Sequence, residues 1–339
     1  MTAGEDILIT QAPVGPTKPA SQREFLFKTT DQFSLEEQEQ FLLLFAKTFP
    51  RALGREEFVR KYLRTPQGHS YHGLMYVNGV LVGAYNLIPY VYDCSGLRRL
   101  FGLSVDTMIA AEHRGGPFNL MKMASLACDG ARREGVCFAF GFPNENAYAF
   151  TCRVLKWVDM GELDFYVLPL RIGAIKRGLR WADLLSRLGA AAWVRLPSLS
   201  RPPVSRFAIE KVNDRQFKAH RYDGQHKRVD LGAGEECTYR TCLEADGVRT
   251  TYLIDVTPLT AGCFARAVRA VHARVAGGSD LLLYVGRLPF RPPGLFKVPP
   301  GRRPRRIRMC GRILDPRVLT EDVLNVEAWN VNVSNFDVR

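Results

Sequence analysis

Two features that mark other protein classes are missing from this chain of 339 residues. No stretch approaches the ~20 consecutive apolar residues that span a bilayer, so we predict no membrane span. The N-terminal segment has acidic residues early, at Glu5 and Asp6, and it has no extended apolar region. It therefore does not resemble a secretion signal, and we expect residues 1–24 to form a flexible tail.

Close sets of disulfide-forming or metal-binding residues are missing as well. The eight cysteines include no C-x-x-C pair, and several lie in apolar runs. Buried, reduced thiols in a cytoplasmic protein explain this pattern best. His69-x-x-His72 is the only close histidine pair in the sequence, and no cysteine or carboxylate accompanies it at ligand spacing. We therefore predict a cytoplasmic protein without a metal site.

Composition bounds the class of protein and the kind of partner. A hydrophobic content of 46% and a charged content of 24% are ordinary for a globular protein, and the length suits about two domains. The formal net charge of +13 implies an anionic partner or substrate, such as a nucleotide-activated sugar or nucleic acid.

Residues 101–155 hold most of the functional signal. They predict a strand over 101–110, a glycine-rich turn, a helix over 118–133 and a second strand over 136–142. A strand that stops at a glycine pair and opens into a helix leaves unpaired backbone N–H groups at the helix start. Those groups, the helix dipole and the charge of Arg114 favour an anion, especially a phosphate. By itself the pattern also fits a purely structural turn.

The second strand and its polar turn, Pro143-Asn144-Glu145-Asn146, sharpen this signal. Asn144 can cap the helix that follows. With this turn in place, the sequence resembles the GNAT superfamily of acyl-CoA-dependent N-acyltransferases. The resemblance covers residues 25–168 and is sharpest over 101–155.

The resemblance implies a site for a co-substrate, acetyl-CoA or another acyl-CoA. In the family, amides of the glycine-rich turn hold the CoA pyrophosphate, and the pantetheine arm lies beside the preceding strand like an added strand. By position, Met108 and Ile109 would offer backbone groups to pantetheine and to the thioester oxygen, and Asn144 would contact a pantetheine amide. The residues that would line the pyrophosphate are Arg114, Gly115, Gly116, Phe118 and Asn119.

Two positions depart from the family pattern. The turn over residues 113–118 is one residue shorter, and Pro117 has no N–H to donate, although proline is acceptable at a first helical position. Counting from Asn144, the family's thiolate-protonating tyrosine would fall at Thr151. The nearest tyrosine is Tyr148, one helical turn earlier, and it is the candidate general acid.

Direct attack of an amine on a thioester needs a base for the amine proton but no enzyme nucleophile. Asp106 on the central strand is the candidate base, acting directly or through a water, and Glu145 is the reserve. The structural alternative for Asp106 is an exposed strand carboxylate that pairs with a neighbouring arginine. Cys137 and Cys152 would suit a covalent route, but buried structural thiols explain them better.

The order of elements before and after this stretch is the order that the superfamily uses. Ser34 and Glu37 form a capping-box pattern, and Asn78-Gly79 predicts a two-residue hairpin turn. We predict an α+β fold whose first domain, residues 25–170, is a GNAT-like mixed, mostly antiparallel sheet flanked by helices. A hairpin turned at Gly161 would close that domain.

Beyond the first domain we predict a linker helix and a proline-rich linker over 171–205. Residues 206–339 would form a second, degenerate GNAT-like domain. Its counterpart of the glycine-rich turn, Thr260-Ala261-Gly262-Cys263, offers one glycine and no arginine, so this domain lacks the CoA loop. We expect it to complete the acceptor pocket or the interface between the domains.

Two basic segments leave alternatives open. Residues 171–188 are amphipathic and suit either a membrane-surface helix or an inter-domain helix packed on the core. Residues 290–312 suit either a site for nucleic acid or a nucleotide-sugar phosphate, or an exposed proline-rich loop followed by an edge strand guarded by charge. The second segment has few aromatic residues for base stacking, which argues against nucleic acid as a partner.

The function that the resemblance implies is N-acyl transfer. An acetyl or other short acyl group would pass from acyl-CoA to a primary amine of a small molecule by direct attack. Two-domain chains of this kind resemble bacterial amino-sugar N-acyltransferases, which suggests a nucleotide-linked amino sugar as the acceptor. The alternative is a non-catalytic, degenerate GNAT protein that binds nucleic acid or an acidic partner through its basic C-terminal half. Either function is compatible with an oligomeric protein.

Overall fold

A computed structural model describes residues 22–195 and 207–336 of the chain. Most of the predicted N-terminal tail, and the proline-rich linker predicted around residues 201–203, lie outside the described residues. The described part is an α+β fold with two sheets, as the sequence predicts.

The described residues form fifteen strands and eight α-helices. The strands are β1 Arg23–Thr29, β2 Tyr71–Val77, β3 Val80–Cys94, β4 Leu97–Ile109, β5 Val136–Gly141, β6 Val158–Glu162, β7 Asp164–Pro169, β8 Ile209–Lys211, β9 Lys227–Gly232, β10 Glu235–Leu243, β11 Arg249–Thr257, β12 Leu281–Gly286, β13 Phe296–Lys297, β14 Arg308–Ile313 and β15 Trp329–Asn330. The helices are α1 Leu35–Thr48, α2 Arg55–Phe58, α3 Phe118–Arg133, α4 Glu145–Arg153, α5 Ile172–Ile175, α6 Asp183–Trp193, α7 Arg215–Arg221 and α8 Ala261–Val275.

The larger sheet has the strand order β1-β2-β3-β4-β5-β14-β6, and β8 joins β3 and β15 at one side. β4 pairs antiparallel with β3 and parallel with β5, and α3 makes the crossover that a parallel pair needs. β2 and β3 form the predicted hairpin. Asn78 and Gly79 have φ of 50° and 79°, the left-handed geometry that a tight two-residue turn requires.

The core of the larger sheet is aromatic and is completed by the C-terminal part of the chain. Trp329 of β15 is fully buried. Its ring centroid lies 5.4–5.6 Å from those of Tyr92, Phe101, Phe138 and Phe140. Truncation of a buried tryptophan costs about 3–5 kcal/mol, so this late residue is expected to stabilise a sheet formed mostly from early strands.

The smaller sheet has the order β13-β7-β12-β11-β10-β9. β11 and β12 are parallel and are connected through α8, so the strand–helix–strand unit of the first sheet is repeated here. Phe264 of α8 packs edge-on against Tyr284 of β12 with ring centroids 5.2 Å apart, and both side chains are fully buried. The second half thus has its own core.

Each sheet contains strands from both halves of the chain, an arrangement that the sequence did not indicate. β6 pairs with β14 in the larger sheet, whereas β7 pairs with β12 and β13 in the smaller one. The predicted hairpin at Gly161 is therefore wrong, because the chain passes from one sheet to the other at Leu163. β14 lies between β5 and β6 and is not the predicted edge strand. The division into domains near residues 171–205 stays a prediction.

The amphipathic segment over 171–193 forms α5, a 3₁₀ stretch and α6. Ala190 and Val194 pack on the core of the smaller sheet, as the inter-domain alternative predicts. The large apolar side chains of α6 point the other way and are exposed. None of the helices within 22–195 and 207–336 combines the length and the apolar run that crossing a membrane requires.

Candidate active site

β4 and β5 separate in the middle of the larger sheet. Their parallel pairing runs from Leu100↔Val136 to Ser104↔Gly141 and then stops. β4 continues to Ile109, whereas β5 ends and turns into α4. Within the described part of the chain, no strand pairs with the β5-facing edge of residues 105–109. This opening between β4 and β5 therefore presents backbone groups that can hydrogen-bond an extended ligand.

A β-bulge shapes β4 where the opening begins. The register with β3 shifts so that Asp106 and Thr107 oppose the single residue Tyr85. Asp106 has φ of 45°, a left-handed conformation that costs a non-glycine residue on the order of 1 kcal/mol or more. The Asn86 side chain donates a 2.8 Å hydrogen bond to the Asp106 carbonyl and so helps to hold this conformation.

Two side chains from the π-helical turn after α2, Val59–Leu63, hold the Asp106 carboxylate. Lys61 Nζ lies 2.5 Å from Oδ2, and Tyr62 donates its hydroxyl hydrogen to the same oxygen. The side chains of Lys61 and Asp106 are each 11% exposed. Lys61 and Tyr62 are thus partners of this carboxylate, whereas the structural alternative expected a neighbouring arginine. Single π turns occur often at functional sites.

Buried polar groups support the bulge from the side of β2. His72 Nδ1 lies 2.8 Å from Asn86 Oδ1, and His72 Nε2 lies 2.7 Å from Thr30 Oγ1. Burial lowers the pKa of His72 to about 4, so the ring is neutral at neutral pH. Since the Asn86 amide nitrogen already faces the bulge, Nδ1–H donates to Oδ1. His72 therefore orients Asn86, which in turn holds Asp106.

The glycine-rich turn lies at the far end of β4. Gly116 has φ of 85°, which residues with a side chain rarely adopt. A Cβ placed on Gly115 or on Gly116 would meet no atom within 4 Å, so the backbone faces open space. Arg114 Nε donates to the Ile109 carbonyl at 2.8 Å, which fixes this exposed cation beside the end of β4.

Helix α3 begins at this turn without a side-chain cap from the described residues. Pro117 occupies the N-cap position with φ of −78°, and Phe118 is the first helical residue. The backbone N–H groups of the first turn are therefore available to an anion. The side chain of Asn119 is buried, and its Nδ2 donates to the His113 carbonyl at 2.9 Å. That side chain shapes the turn, so only its backbone N–H faces outward with the others.

The predicted pantetheine contacts lie along the opening. Met108 has a fully buried side chain and pairs with Ala84 of β3, so it can meet a ligand only through its backbone. Asn144 accepts a 2.9 Å bond from the Ala147 N–H, which confirms the predicted helix cap. Its role toward pantetheine stays a prediction.

Tyr148, the candidate acid, lies on α4, whereas Asp106 lies on β4. Its hydroxyl donates to Asp159 Oδ2 at 2.6 Å, and the Arg308 guanidinium stacks 4.1 Å from its ring centroid. The bond to Asp159 raises the pKa of Tyr148 to about 12. Tyr148 borders a pocket of about 250 Å³ together with Glu145 and Arg308. Asp106 and Tyr148 are thus held by different partners: Lys61 and Tyr62 hold the first, and Asp159 holds the second.

A cavity of about 930 Å³ separates the two sheets beside Lys61 and Val105. Apolar side chains from both sheets form its walls. They are Ile88 and Tyr90 of β3, Leu103 and Val105 of β4, Ile254 of β11, and Leu283 and Val285 of β12. A cavity of this size suits a small-molecule ligand, and its placement puts such a ligand between the bulged strand and the second half of the chain.

Charged side chains ring the mouth of this cavity. Arg60 lies 3.7 Å from Asp223, and Arg51 lies 2.8 Å from Glu57. Arg240 donates to the neutral Gln225 side chain, and among the described residues no ion pair with a carboxylate is found for it. The cavity thus combines an apolar wall with charged side chains of both signs, since the carboxylates of Glu57, Asp223, Glu244 and Asp246 also line it. The six cations are Arg51, Arg60, Lys61, Arg221, Arg240 and Arg305.

Solved structures of acyltransferases share this architecture. A probable N-acyltransferase from Enterococcus faecalis V583 superposes with a TM-score of 0.56 and 12% identity over 87% of this chain and 73% of that one. A GCN5-related N-acetyltransferase from Kribbella flavida gives 0.54 and 14% over 87% and 72%, and Eis1 from Mycobacterium abscessus gives 0.51 and 15% over 88% and 74%. No protein-family model and no curated protein matches the sequence.

The fold is that of the GNAT N-acyltransferases. At 12–15% identity these likenesses establish the fold and leave the reaction to be argued from the site. In GNAT terms, the structure brings Arg114, Gly115, Gly116, Phe118 and Asn119 together at one end of the opening. Met108 and Ile109 lie along it, and Asp106 lies where it begins.

These residues fit the acyl-CoA that the GNAT fold implies. A helix start without a side-chain cap suits a pyrophosphate, and the space around Gly115 and Gly116 leaves room for one. The edge over residues 105–109, which lies beyond the last β5 pair, suits an extended arm with amide groups. The roles of the individual residues stay predictions.

Three residues around Asp106 were missed by sequence reasoning. Lys61 and Tyr62 lie on a short helix, where they look like ordinary surface and core positions. His72 was considered only as a zinc ligand. The available signal was the pair of polar residues His72 and Asn86 on the adjacent strands β2 and β3, with Thr30 directly after β1, where they place polar side chains on an inward face.

Burial argues against a nucleophilic role for Cys137. Burial raises the pKa of Cys137 to about 11, so its thiol is protonated at neutral pH. Cys152 Sγ lies 3.7 Å from Cys310 Sγ, and all eight cysteines are free thiols. The predicted cytoplasmic location stays a prediction.

Proposed function

We propose that this protein is an acyl-CoA-dependent N-acyltransferase that moves an acetyl or other short acyl group to a primary amine of a small molecule. The observation that carries the proposal is the opening between β4 and β5, which leads at one end to the uncapped start of α3 and at the other to Asp106. A site that favours phosphate, a strand edge that can bind amides and a proton acceptor thus lie one after another along β4.

The chain's own residues supply positioning and proton transfer. When bound, acyl-CoA supplies an activated thioester. Backbone groups of Met108 and Ile109 would orient its carbonyl, and the Asp106 carboxylate would take the proton of the attacking amine, directly or through a water. Lys61 and Tyr62 keep that carboxylate in place. The bulge fixes the orientation of the Asp106 backbone, and proton transfer needs a positioned carboxylate.

Protonation of the departing thiolate is the role we propose for Tyr148. Its hydroxyl proton is engaged by Asp159 in the described conformation. A change of side-chain rotamer, or a water relay, would be required before it could serve the opening. Glu145 remains the reserve base, and it borders the same small pocket as Tyr148.

The cavity between the sheets is the proposed acceptor site. Six lysines and arginines line it beside four carboxylates, and these cations suit an amine that also carries a phosphate or carboxylate. A nucleotide-linked amino sugar combines these groups. We expect the nucleotide-linked sugar to have a lower KM than the free amino sugar, and Arg240→Gln to raise that KM about tenfold without a comparable change in kcat.

The non-catalytic alternative draws on the basic C-terminal half. Many of its cations already form ion pairs. Arg303 and Lys297 lie 2.6 Å and 2.7 Å from the Asp164 carboxylate, and Arg308 lies 3.3 Å from that of Glu162. Such pairs leave less charge for nucleic acid. Salt-steep DNA binding with no response to acyl-CoA would favour this alternative.

The deciding experiment measures unfolding of the full chain with and without acetyl-CoA, together with CoA release in the presence of amines. At 100-fold excess over its dissociation constant, acetyl-CoA is expected to raise the free energy of unfolding by about 2.7 kcal/mol. No stabilisation by any acyl-CoA would refute the enzyme proposal.

A further inference from the structure

Helix α6 carries its apolar side chains on the wrong face for a helix that only packs on the protein. Its inner side presents small residues: Ala190 is 4% exposed, and Ser186 Oγ donates to the Leu170 carbonyl at 3.0 Å. Leu184, Leu185 and Leu188 are 67%, 63% and 60% exposed. A water-exposed helix surface would normally carry polar residues at these positions.

Other apolar side chains extend this surface. Trp181, just before α6, is 75% exposed. Trp193, at the end of α6, stacks on Phe296 of β13 with centroids 4.9 Å apart, and these two rings are 40% and 47% exposed. We call these six residues the apolar ridge: Trp181, Leu184, Leu185, Leu188, Trp193 and Phe296. Exposed apolar side chains grouped at helical spacing, as Leu184, Leu185 and Leu188 are, mark an interaction site.

The charge around the apolar ridge decides between occupants. Exposed cations surround it, among them Lys176, Arg180, Arg187 and Arg195. Residues 171–195 contain six lysines and arginines, of which Arg171 pairs with Asp280, and one carboxylate, Asp183. Asp183 is turned inward and accepts from the Gly173 N–H at 2.6 Å. A second copy of this chain would bring like charges together, whereas an anionic surface complements them.

We propose that the apolar ridge is a membrane-docking surface that binds in the interfacial plane of a bilayer containing anionic lipids. Leucine and tryptophan side chains would enter the headgroup boundary, and the flanking arginines and lysines would remain among the lipid phosphates. No span is involved, since α6 lies on the protein surface through Ala190 and Val194. This inference does not depend on the proposed enzyme activity.

The test is sedimentation of the full chain with vesicles of phosphatidylcholine containing phosphatidylglycerol, and with vesicles of phosphatidylcholine alone. We expect binding to the anionic vesicles that weakens as salt is raised, accompanied by a blue shift of tryptophan fluorescence. Leu184→Glu/Leu188→Glu should lower the partition coefficient by about 100-fold, because two leucine side chains leave the apolar phase.

The matched control is Leu35→Glu/Leu43→Glu, which adds the same charge at two leucines of α1 that are 64% and 63% exposed. This variant should bind vesicles nearly as the natural chain does. Three results would overturn the proposal: no binding to anionic vesicles at low salt, equal binding to neutral vesicles, or equal loss in both variants. A dimer in size-exclusion chromatography that dissociates only in Leu184→Glu/Leu188→Glu, without vesicle binding, would assign the ridge to a second copy.

Discussion

The chain builds one strand–helix–strand unit twice, as β4–α3–β5 and as β11–α8–β12, and only the first is open. In both units the first strand is bulged and the parallel pairing ends early, at Ser104↔Gly141 and at Tyr252↔Leu283. The start of α3 has no side-chain cap from the described residues, whereas Thr260 Oγ1 accepts from the first turn of α8 at 3.2 Å.

The second opening is filled by the chain itself. Residues 331–335 are buried against the ends of β11 and β12. Gly286 bridges to Asn332, and Asn332 Nδ2 donates to Asp255 at 3.0 Å. A Cβ on Gly286 would lie 2.5 Å from the Val331 carbonyl oxygen, so this close approach requires glycine. The C-terminal segment thus takes the place that an extended ligand would take in the first unit.

Each unit also has an aspartate beside its bulge, in a different environment. Asp106 adjoins the large cavity through Lys61. Asp255 is buried and accepts from Lys211 at 2.9 Å, Asn213 at 2.7 Å and Tyr222 at 3.0 Å, in addition to Asn332. The comparison teaches that the GNAT scaffold alone does not make a site. What matters is which helix start, strand edge and carboxylate the chain leaves accessible.

The largest expected effect is on stability in the closed unit. Asp255→Asn leaves the buried Lys211 ammonium without its counter-ion, which should cost about 3–5 kcal/mol in urea unfolding. Asp106→Asn, at a partly exposed position, should cost about 1–2 kcal/mol. Equal losses would mean that the two aspartates have the same structural role.

The next prediction concerns catalytic activity, for which the first unit should show the larger effect. Asp106→Asn should lower kcat about 100-fold while acetyl-CoA still stabilises the variant, because a general base is lost and the cofactor opening is intact. The control is Asp129→Asn, at an exposed residue of α3 that accepts a hydrogen bond from Ser125. Unchanged kcat in Asp106→Asn would remove Asp106 from the mechanism.

The third prediction concerns the two helix starts. Gly115→Glu places a carboxylate in open space beside Arg114, at a backbone conformation that any residue can adopt. It should abolish the stabilisation of about 2.7 kcal/mol that acetyl-CoA provides at 100-fold excess, through repulsion of the phosphates. Gly262→Glu, in the first turn of α8, should leave that stabilisation intact. Loss in both variants would contradict the assignment.

Local signals in the sequence predicted the open unit well. Helix α3 has the predicted bounds, the Ser34–Glu37 capping box forms, and the hairpin turn lies at Asn78-Gly79. In each case a few neighbouring residues determine the structure through backbone geometry or capping. The glycine-rich turn was found for the same reason.

Strand pairing between residues far apart in the chain could not be predicted from the sequence. The insertion of β14 between β5 and β6 depends on contacts between residues about 150 positions apart, and the strand pattern of 306–314 looks the same at an edge or in the middle of a sheet. The partners of Asp106 were missed because Lys61 reaches it across the fold, from a helix with no motif. Asp106 itself was found because it lies on the central strand that precedes the glycine-rich turn.

Amide hydrogen exchange of the full chain, with and without acetyl-CoA, tests the central claim most directly. We expect protection at the start of α3, residues 118–120, and along residues 105–109 of β4. The start of α8 and residues 253–257 of β11 should exchange at unchanged rates. Protection in the second unit, or none in the first, would contradict the account that the opening between β4 and β5 is the cofactor site.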